Sequence, residues 1–264
     1  MKVIKGDVNL DYLNLREIPE ILKDVSIEGS LSLYSNNLRS LKNCPKKIIR
    51  HLNVANNRSL RSLVGGPEEV GAIDVHNCNL TSLEGFPKIV YPKIFSGGRV
   101  DVSGNKLTSL VGLPEELGEL VIYNNPGLKT LQGCPKIIRG GFEALWLPIT
   151  NMIGGPTVIY DDLLLYDTEI NSLEGFPKEV GGNIFLGNTP LGSILFPTRN
   201  TPETNRKSKE LLDTIYKICD IGGGIYRTAD DIEEENPEIE MDDYEPDEFG
   251  GFRRVWNANI FIVI

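Results

Sequence analysis

Two histidines and four cysteines are the residues of this 264-residue chain best suited to chemistry. Asp74 and His76 flank Val75, so the period-two alternation of a strand puts both on one side. Asp101, from a later segment of similar pattern, would join them, and His beside carboxylates is an acid–base arrangement. No nucleophile is placed with the three, so a displayed polar histidine is expected rather than a catalytic one. Cys44, Cys78 and Cys134 fall in separate repeat units and give no zinc-ligand spacing. The Gly-Gly pairs lack the Gly-Lys-Ser/Thr ending of a phosphate loop. The acidic run near the end lacks the Asp-x-Asp-x-Asp-Gly order of a calcium loop. The expectation is a chain with no catalytic residue, no cofactor and no resident metal, hence not an enzyme.

The frame that positions these residues is a repeat. Two of its cleanest copies are Val75-His-Asn-Cys-Asn-Leu80-Thr-Ser-Leu83-Glu-Gly-Phe-Pro87 and Leu165-Tyr-Asp-Thr-Glu-Ile170-Asn-Ser-Leu173-Glu-Gly-Phe-Pro177. The pattern recurs nine times between Val8 and Pro197, with successive spacings of 23, 21, 21, 27, 20, 22, 21 and 21 residues. Each unit has a last inward strand residue: Leu10, Leu33, Val54, Val75, Val102, Ile122, Ala144, Leu165 or Leu186. Three places on comes a short polar or thiol side chain (Asn36, Asn57, Cys78, Asn105, Asn125, Thr168, Thr189) able to bond the backbone where the strand bends away. Further inward positions follow, ending at Ile18, Leu41, Leu63, Leu83, Leu110, Leu131, Met152, Leu173 and Ile194. The closing prolines force a non-helical return, so extended or 3₁₀ segments are expected on the convex side. A unit of this kind cannot bury its apolar face alone, and stacking is required. The long 27-residue spacing marks an insertion around residues 91–98, expected to bulge from one edge.

Nine copies of this pattern resemble leucine-rich-repeat proteins, and the Gly-Xaa-Pro return resembles the short type found in bacterial effectors and tailed-phage genomes. The resemblance implies an α/β-type leucine-rich-repeat solenoid, with parallel strands on its concave face and a mostly irregular convex side, used for binding proteins. Effector relatives can carry a large C-terminal ubiquitin-ligase domain. Cys219-Asp220 stands in a segment too short for it, so no ligase activity is expected. The expected organisation is a solenoid over 1–197, a capping helix within 198–224, and an acidic segment with a terminal β-strand over 225–264.

The repeat register also predicts the displayed side chains. The first five units show polar and acidic groups, including Asp74, His76 and Asp101. The last four show Val121, Tyr123, Leu145, Trp146, Leu164, Tyr166 and Phe185, with Trp146 towards the rim. A contiguous apolar patch calls for a partner or a cover, and Tyr and Trp are typical interface anchors. The binding residues expected are Tyr123, Leu145, Trp146, Leu164, Tyr166 and Phe185, flanked by Asp74, His76 and Asp101; the chain's own C-terminal segment is the alternative cover. A register error of one in the degenerate seventh unit would exchange the faces of Leu145 and Trp146.

Beyond the repeats, Thr201-Pro202-Glu203 reads as a helix start, and Leu211, Leu212, Ile215, Ile218 and Cys219 as its apolar stripe, ended by Gly222-Gly-Gly224. Twelve acids and no Lys or Arg lie between Asp230 and Glu248, including Asp230, Asp231, Glu233, Glu234, Glu235, Asp242 and Asp243 with Tyr244 among them. They account for the formal charge of −10, since the rest of the chain holds 25 acids against 27 bases. Such a run is expected as a solvated loop, or as a lure for a basic protein surface. The chain ends in the β-rich Phe252–Ile264.

No basic stripe suggests direct nucleic-acid binding, and no apolar run suggests a signal peptide or membrane span. With free thiols expected, a reducing cytoplasm is the default, that of a host if the chain is phage-encoded. The function expected is a non-catalytic protein–protein interaction module, a modulator or inhibitor of a host protein. The alternative is a structural or assembly component, particle-associated or homo-oligomeric through its C-terminal strand; sizing by light scattering separates the two.

Overall fold

A computed structural model of the chain describes residues 2–91, 97–228 and 231, together with the backbone of Tyr244–Pro246 and Phe252–Arg254. It contains two compact units, Met1–Arg227 and Thr228–Ile264. The first is a parallel β-solenoid of stacked coils, about 21 residues each. Among the described residues one sheet has thirteen strands, and its last rungs pair in strict register: Asn53 with Asp74, Asp74 with Asp101, Asp101 with Val121, and so on to Phe185 with Tyr226.

The convex return is extended. After the prolines from Pro45 to Pro177 the chain forms a second strand, while a 3₁₀ turn, Glu20–Leu22, follows Pro19. Glu116–Leu117, Ile137–Ile138, Val158–Ile159 and Glu179–Val180, joined by Asp220–Ile221, build a five-stranded parallel sheet of their own. In the earlier coils the two strands are continuous, as Lys47–Asn53 and Glu69–Asp74. Proline sets the direction of the return without the helical hydrogen bonds it would break, and Val, Ile and Leu beyond it suit a pleated surface.

The inward residues from Leu33 to Leu186 are all fully buried and form one continuous apolar core; Leu10, in the first coil, packs against it half-exposed. The seventh unit keeps its register, because Phe142 pairs with Leu120 and Leu163 while Ala144 is fully buried. The short polar column closes the turns as expected. Asn57, fully buried, accepts the Leu38 N–H at 3.0 Å and donates to the carbonyls of Leu33 at 3.0 Å and Val54 at 2.8 Å. One side chain thereby ties its own bend to the coil before it.

The ninth coil departs from the expected pattern. Pro190–Leu195 winds into a helix, α1, capped by the Thr189 hydroxyl, which accepts the Gly192 N–H at 2.8 Å. Helical spacing then turns Leu191 and Leu195 inward together, and Ile194, expected inside, is exposed. A second helix, α2, spans Pro202–Ile218 and begins in a Thr201/Thr204 capping box. Its Ile215 is fully buried, Leu211 and Leu212 pack against the core, and Ile218, expected in the same stripe, faces outward. The helix ends at Cys219, ahead of the expected glycine stop.

The expected end of the solenoid at Pro197 moves to Arg227. Beyond α2 the chain re-enters both sheets, Asp220–Ile221 beside Glu179–Val180 and Ile225–Tyr226 beside Ile184–Phe185. Glycines 222 to 224 are the corner between these strands; a Cβ on Gly222 would meet the Gly181 carbonyl oxygen at 2.1 Å. A helical excursion of about twenty residues hides this tenth coil from a search for repeats. In the second unit, Tyr244–Pro246 pairs antiparallel with Phe252–Arg254, and the Thr228 N–H donates to the Asp231 carboxylate at 3.2 Å. Asp230, Glu233, Glu234, Glu235, Asp242, Asp243 and the strand expected over the last residues lie outside the described residues, as do 92–96 of the expected insertion.

All four cysteines are free and buried. Burial pushes the thiols of Cys44 and Cys78 up to about 12 and that of Cys219 to about 11, and raises that of Cys134 as well. Thiolate is the reactive form, so an aromatic disulfide reagent at neutral pH is expected to modify none of them in the native protein and all four in denaturant. Fast reaction of any one without denaturant would show that its coil opens locally.

Candidate functional site: two aromatic pads and a charged cluster on the concave face

The concave face is built by the residues on either side of each inward strand position. On the leading side a short polar side chain performs a local duty. The amide oxygens of Asn9 and Asn53 accept the N–H of Asp11 and Ala55 at 2.9 and 3.0 Å. Asp74 and Asp101 do the same for His76 and Ser103, at 2.9 and 3.0 Å. These bonds lead the strand into its bend.

Two places after the inward residue the backbone of every unit turns left-handed, with φ between +50° and +62°. Seven units place Ser, Asn, Gly or Asp there, residue types that tolerate this conformation. The other two place Tyr12 and Trp146, at φ +58° and +50°. A bulky side chain in this region costs roughly 1–3 kcal/mol. Both rings are largely exposed, Tyr12 at 71% and Trp146 at 56%, so burial does not offset that cost.

Each of these rings stands edge-on against the first trailing tyrosine of a neighbouring coil. Trp146 meets Tyr123 with centroids 5.8 Å apart and planes at 88°; Tyr12 meets Tyr34 at 5.4 Å and 74°. The same stacking at two distant coils makes two aromatic pads. Trp146 is among the residues expected from the repeat register and Tyr12 is not, although aligned units show both as aromatics in a column otherwise filled by turn formers.

The expected binding residues divide into three groups. Trp146 is exposed, and Tyr123, Leu164 and Tyr166 are half-buried around it. Burial, with the charges of Glu143 and Asp167, raises the Tyr166 phenol above its ordinary range. Leu145 is only 5% exposed and forms floor rather than surface, together with Val121. Phe185, at 3%, is covered by the tenth coil, whose Tyr226 ring stacks on it at 6.1 Å and 33°. The chain therefore does cover one end of its apolar patch, through Tyr226.

Asp74, His76 and Asp101 do come together. Asp74 and Asp101 occupy paired rungs, 8% and 5% exposed, and His76 Nδ1 lies 2.7 Å from the Asp74 carboxylate. Asp101 accepts the Ser103 hydroxyl at 2.6 Å and an Arg99 N–H at 3.3 Å; Arg99 also bonds Glu119 at 2.6 Å. Burial and the facing Asp74 charge raise the Asp101 carboxyl above its usual range. Burial alone would lower the His76 pKa, but the bond to Asp74 and the charges of Asp74 and Asp101 outweigh it and raise it. Among the described residues no nucleophile bonds to His76, and Ser103 spends its hydroxyl on Asp101. Arg99 and Glu119 were not anticipated, since they precede the strand positions that the repeat register identifies.

Among the described residues no helix is long and apolar enough to cross a membrane. Compared with family models, curated proteins and solved structures, the chain matches none.

Proposed function

We propose that this solenoid is a non-catalytic protein-binding module that engages its partner through the rim and concave face around Trp146, Tyr123 and Tyr166. The observation that carries this reading is the left-handed, exposed Trp146. A fold selected for stability alone would place Asn or Asp there, as the neighbouring coils do, so the strained ring is retained for what it touches outside the chain. Large amphipathic aromatics supply much contact area for little entropy loss, which is why they anchor interfaces. The leucine-rich-repeat resemblance favours the same class and extends it to a host-directed modulator encoded by a phage or bacterium. The acidic segment would then steer a basic partner on approach.

The test pairs stability with binding. Trp146→Asn is expected to leave unfolding stability unchanged or raise it by about 0.5–1 kcal/mol, since Asn accepts the left-handed backbone. The same change is expected to weaken binding by roughly 30-fold or more, the scale of an interface anchor. Partners captured from lysate by wild type are identified by mass spectrometry, then titrated against wild type, Trp146→Asn and Ile21→Asn, the last altering an exposed side chain elsewhere. Equal affinities for all three would overturn the reading.

A further inference from the structure

We propose that Asp74, His76 and Asp101 form a binding site for one divalent first-row transition-metal ion, Zn²⁺ foremost, on the concave face of the fourth and fifth coils. The inference is independent of the protein-binding reading and begins from a surplus of charge. The backbone duty of Asp74 and Asp101 needs only a side-chain oxygen, which the neutral Asn9 and Asn53 supply in equivalent places. A neutral amide suffices for that bond, so it does not require their charges. Asp74 and Asp101 also face each other on paired rungs while largely buried, an arrangement that destabilises a sheet unless a cation sits between.

Among the described residues, the cations at this pair are Arg99 and, when protonated, His76. Arg99 is the guanidinium bonded to Asp101, and it is shared with the third carboxylate, Glu119. Among the described residues three acids thus stand beside Arg99 and His76, with His76 placed against the two buried ones. One ligand atom from each of Asp74, His76 and Asp101 lies within 4.8 Å of the other two. In a tetrahedral Zn²⁺ site, ligand atoms bonded at about 2.0–2.2 Å stand roughly 3.3–3.6 Å apart, so side-chain rotations of about an ångström draw the three into place.

Donor chemistry selects the ion. One imidazole with two carboxylates suits Zn²⁺ and its first-row neighbours, whereas Mg²⁺ and Ca²⁺ favour oxygen alone. Arg99 and Ser103 bond Asp101 and hold its carboxylate in place. Three protein ligands leave a coordination position for water or for a donor from a bound protein.

Full-length protein stripped with a chelator is titrated with ZnCl₂ by calorimetry and followed by thermal unfolding, with MgCl₂ and CaCl₂ alongside. One Zn²⁺ per chain and a raised Tm are expected, with no comparable shift from Mg²⁺ or Ca²⁺. His76→Ala and Asp101→Asn, checked for native circular dichroism, should each weaken Zn²⁺ by more than the roughly 10–100-fold cost of losing an outer partner of a ligand. Asp101→Asn keeps the turn bond, as Asn53 does, and so separates ligation from folding. Co²⁺ should give d–d bands without thiolate charge transfer. No heat with Zn²⁺, an affinity unchanged in both variants, or a thiolate band would each overturn the site, the second assigning the ion to other acids and the third to cysteine.

Discussion

Gly133→Ala is expected to cost about 4 kcal/mol, a large share of the roughly 5–15 kcal/mol that holds a domain together. Gly133 adopts φ +85°, and a Cβ there would stand 2.3 Å from the backbone nitrogen and 2.5 Å from the Cα of Val111, in the coil before. The positive φ contributes about 1–2 kcal/mol, and the clash adds more because no flexible side-chain end can give way. Gly175 approaches Ile153 in the same manner, a Cβ there standing 2.4 Å from a backbone nitrogen, as does Gly85 with Val64, so in these three units the first residue of Gly-Xaa-Pro lets successive coils come this close. Gly6→Ala is the control, because Gly6 has φ +96° but open space around it, and only the strain should appear. Urea unfolding followed by circular dichroism measures both variants. Equal losses would show that coil spacing does not depend on the missing Cβ.

Asn57→Ala is expected to lower stability by about 3 kcal/mol, by taking the acceptor from the buried Leu38 N–H and one donor each from the Leu33 and Val54 carbonyls. The donor lost by Leu33 is one reaching it from the next coil. Asn57→Thr should recover part of this, because Thr168 and Thr189 fill the same column and donate to Leu165 and Leu186 at 2.6 and 2.7 Å. Denaturant midpoints of the three proteins decide it. If Thr proves no better than Ala, the column acts through packing and not through its hydrogen bonds.

The inward residues and the turn-closing column were legible because each reports one local rule repeated in every unit. Burial alternates along a strand, and a bend needs a short bonding side chain. Ile194 misled because the same spacing admits a helix, and the capped Pro190–Leu195 segment takes it. The tenth coil was hidden by α2, since periodicity cannot be followed across an interruption of a different period. At the candidate site, the alternation placed Asp74, His76 and Asp101 correctly on one face. What it could not show was depth. Leu145 and Phe185 belong to displayed positions yet are closed over, because neighbouring coils and Tyr226 decide exposure after the register has decided direction. The strain at Tyr12 and Trp146 was invisible while each unit was considered alone, because it lies in a backbone angle shared by the whole column.

The two aromatic pads also act as a ruler. One joins the first and second coils through Tyr12 and Tyr34, the other the sixth and seventh through Tyr123 and Trp146. Five strand spacings of about 4.8 Å separate them by roughly 24 Å along the sheet. A rigid helix touching both would need about sixteen residues, at 1.5 Å of rise each. Shorter peptides could grip one pad or the other, but only an element of that length gains the effective concentration that comes from holding both at once.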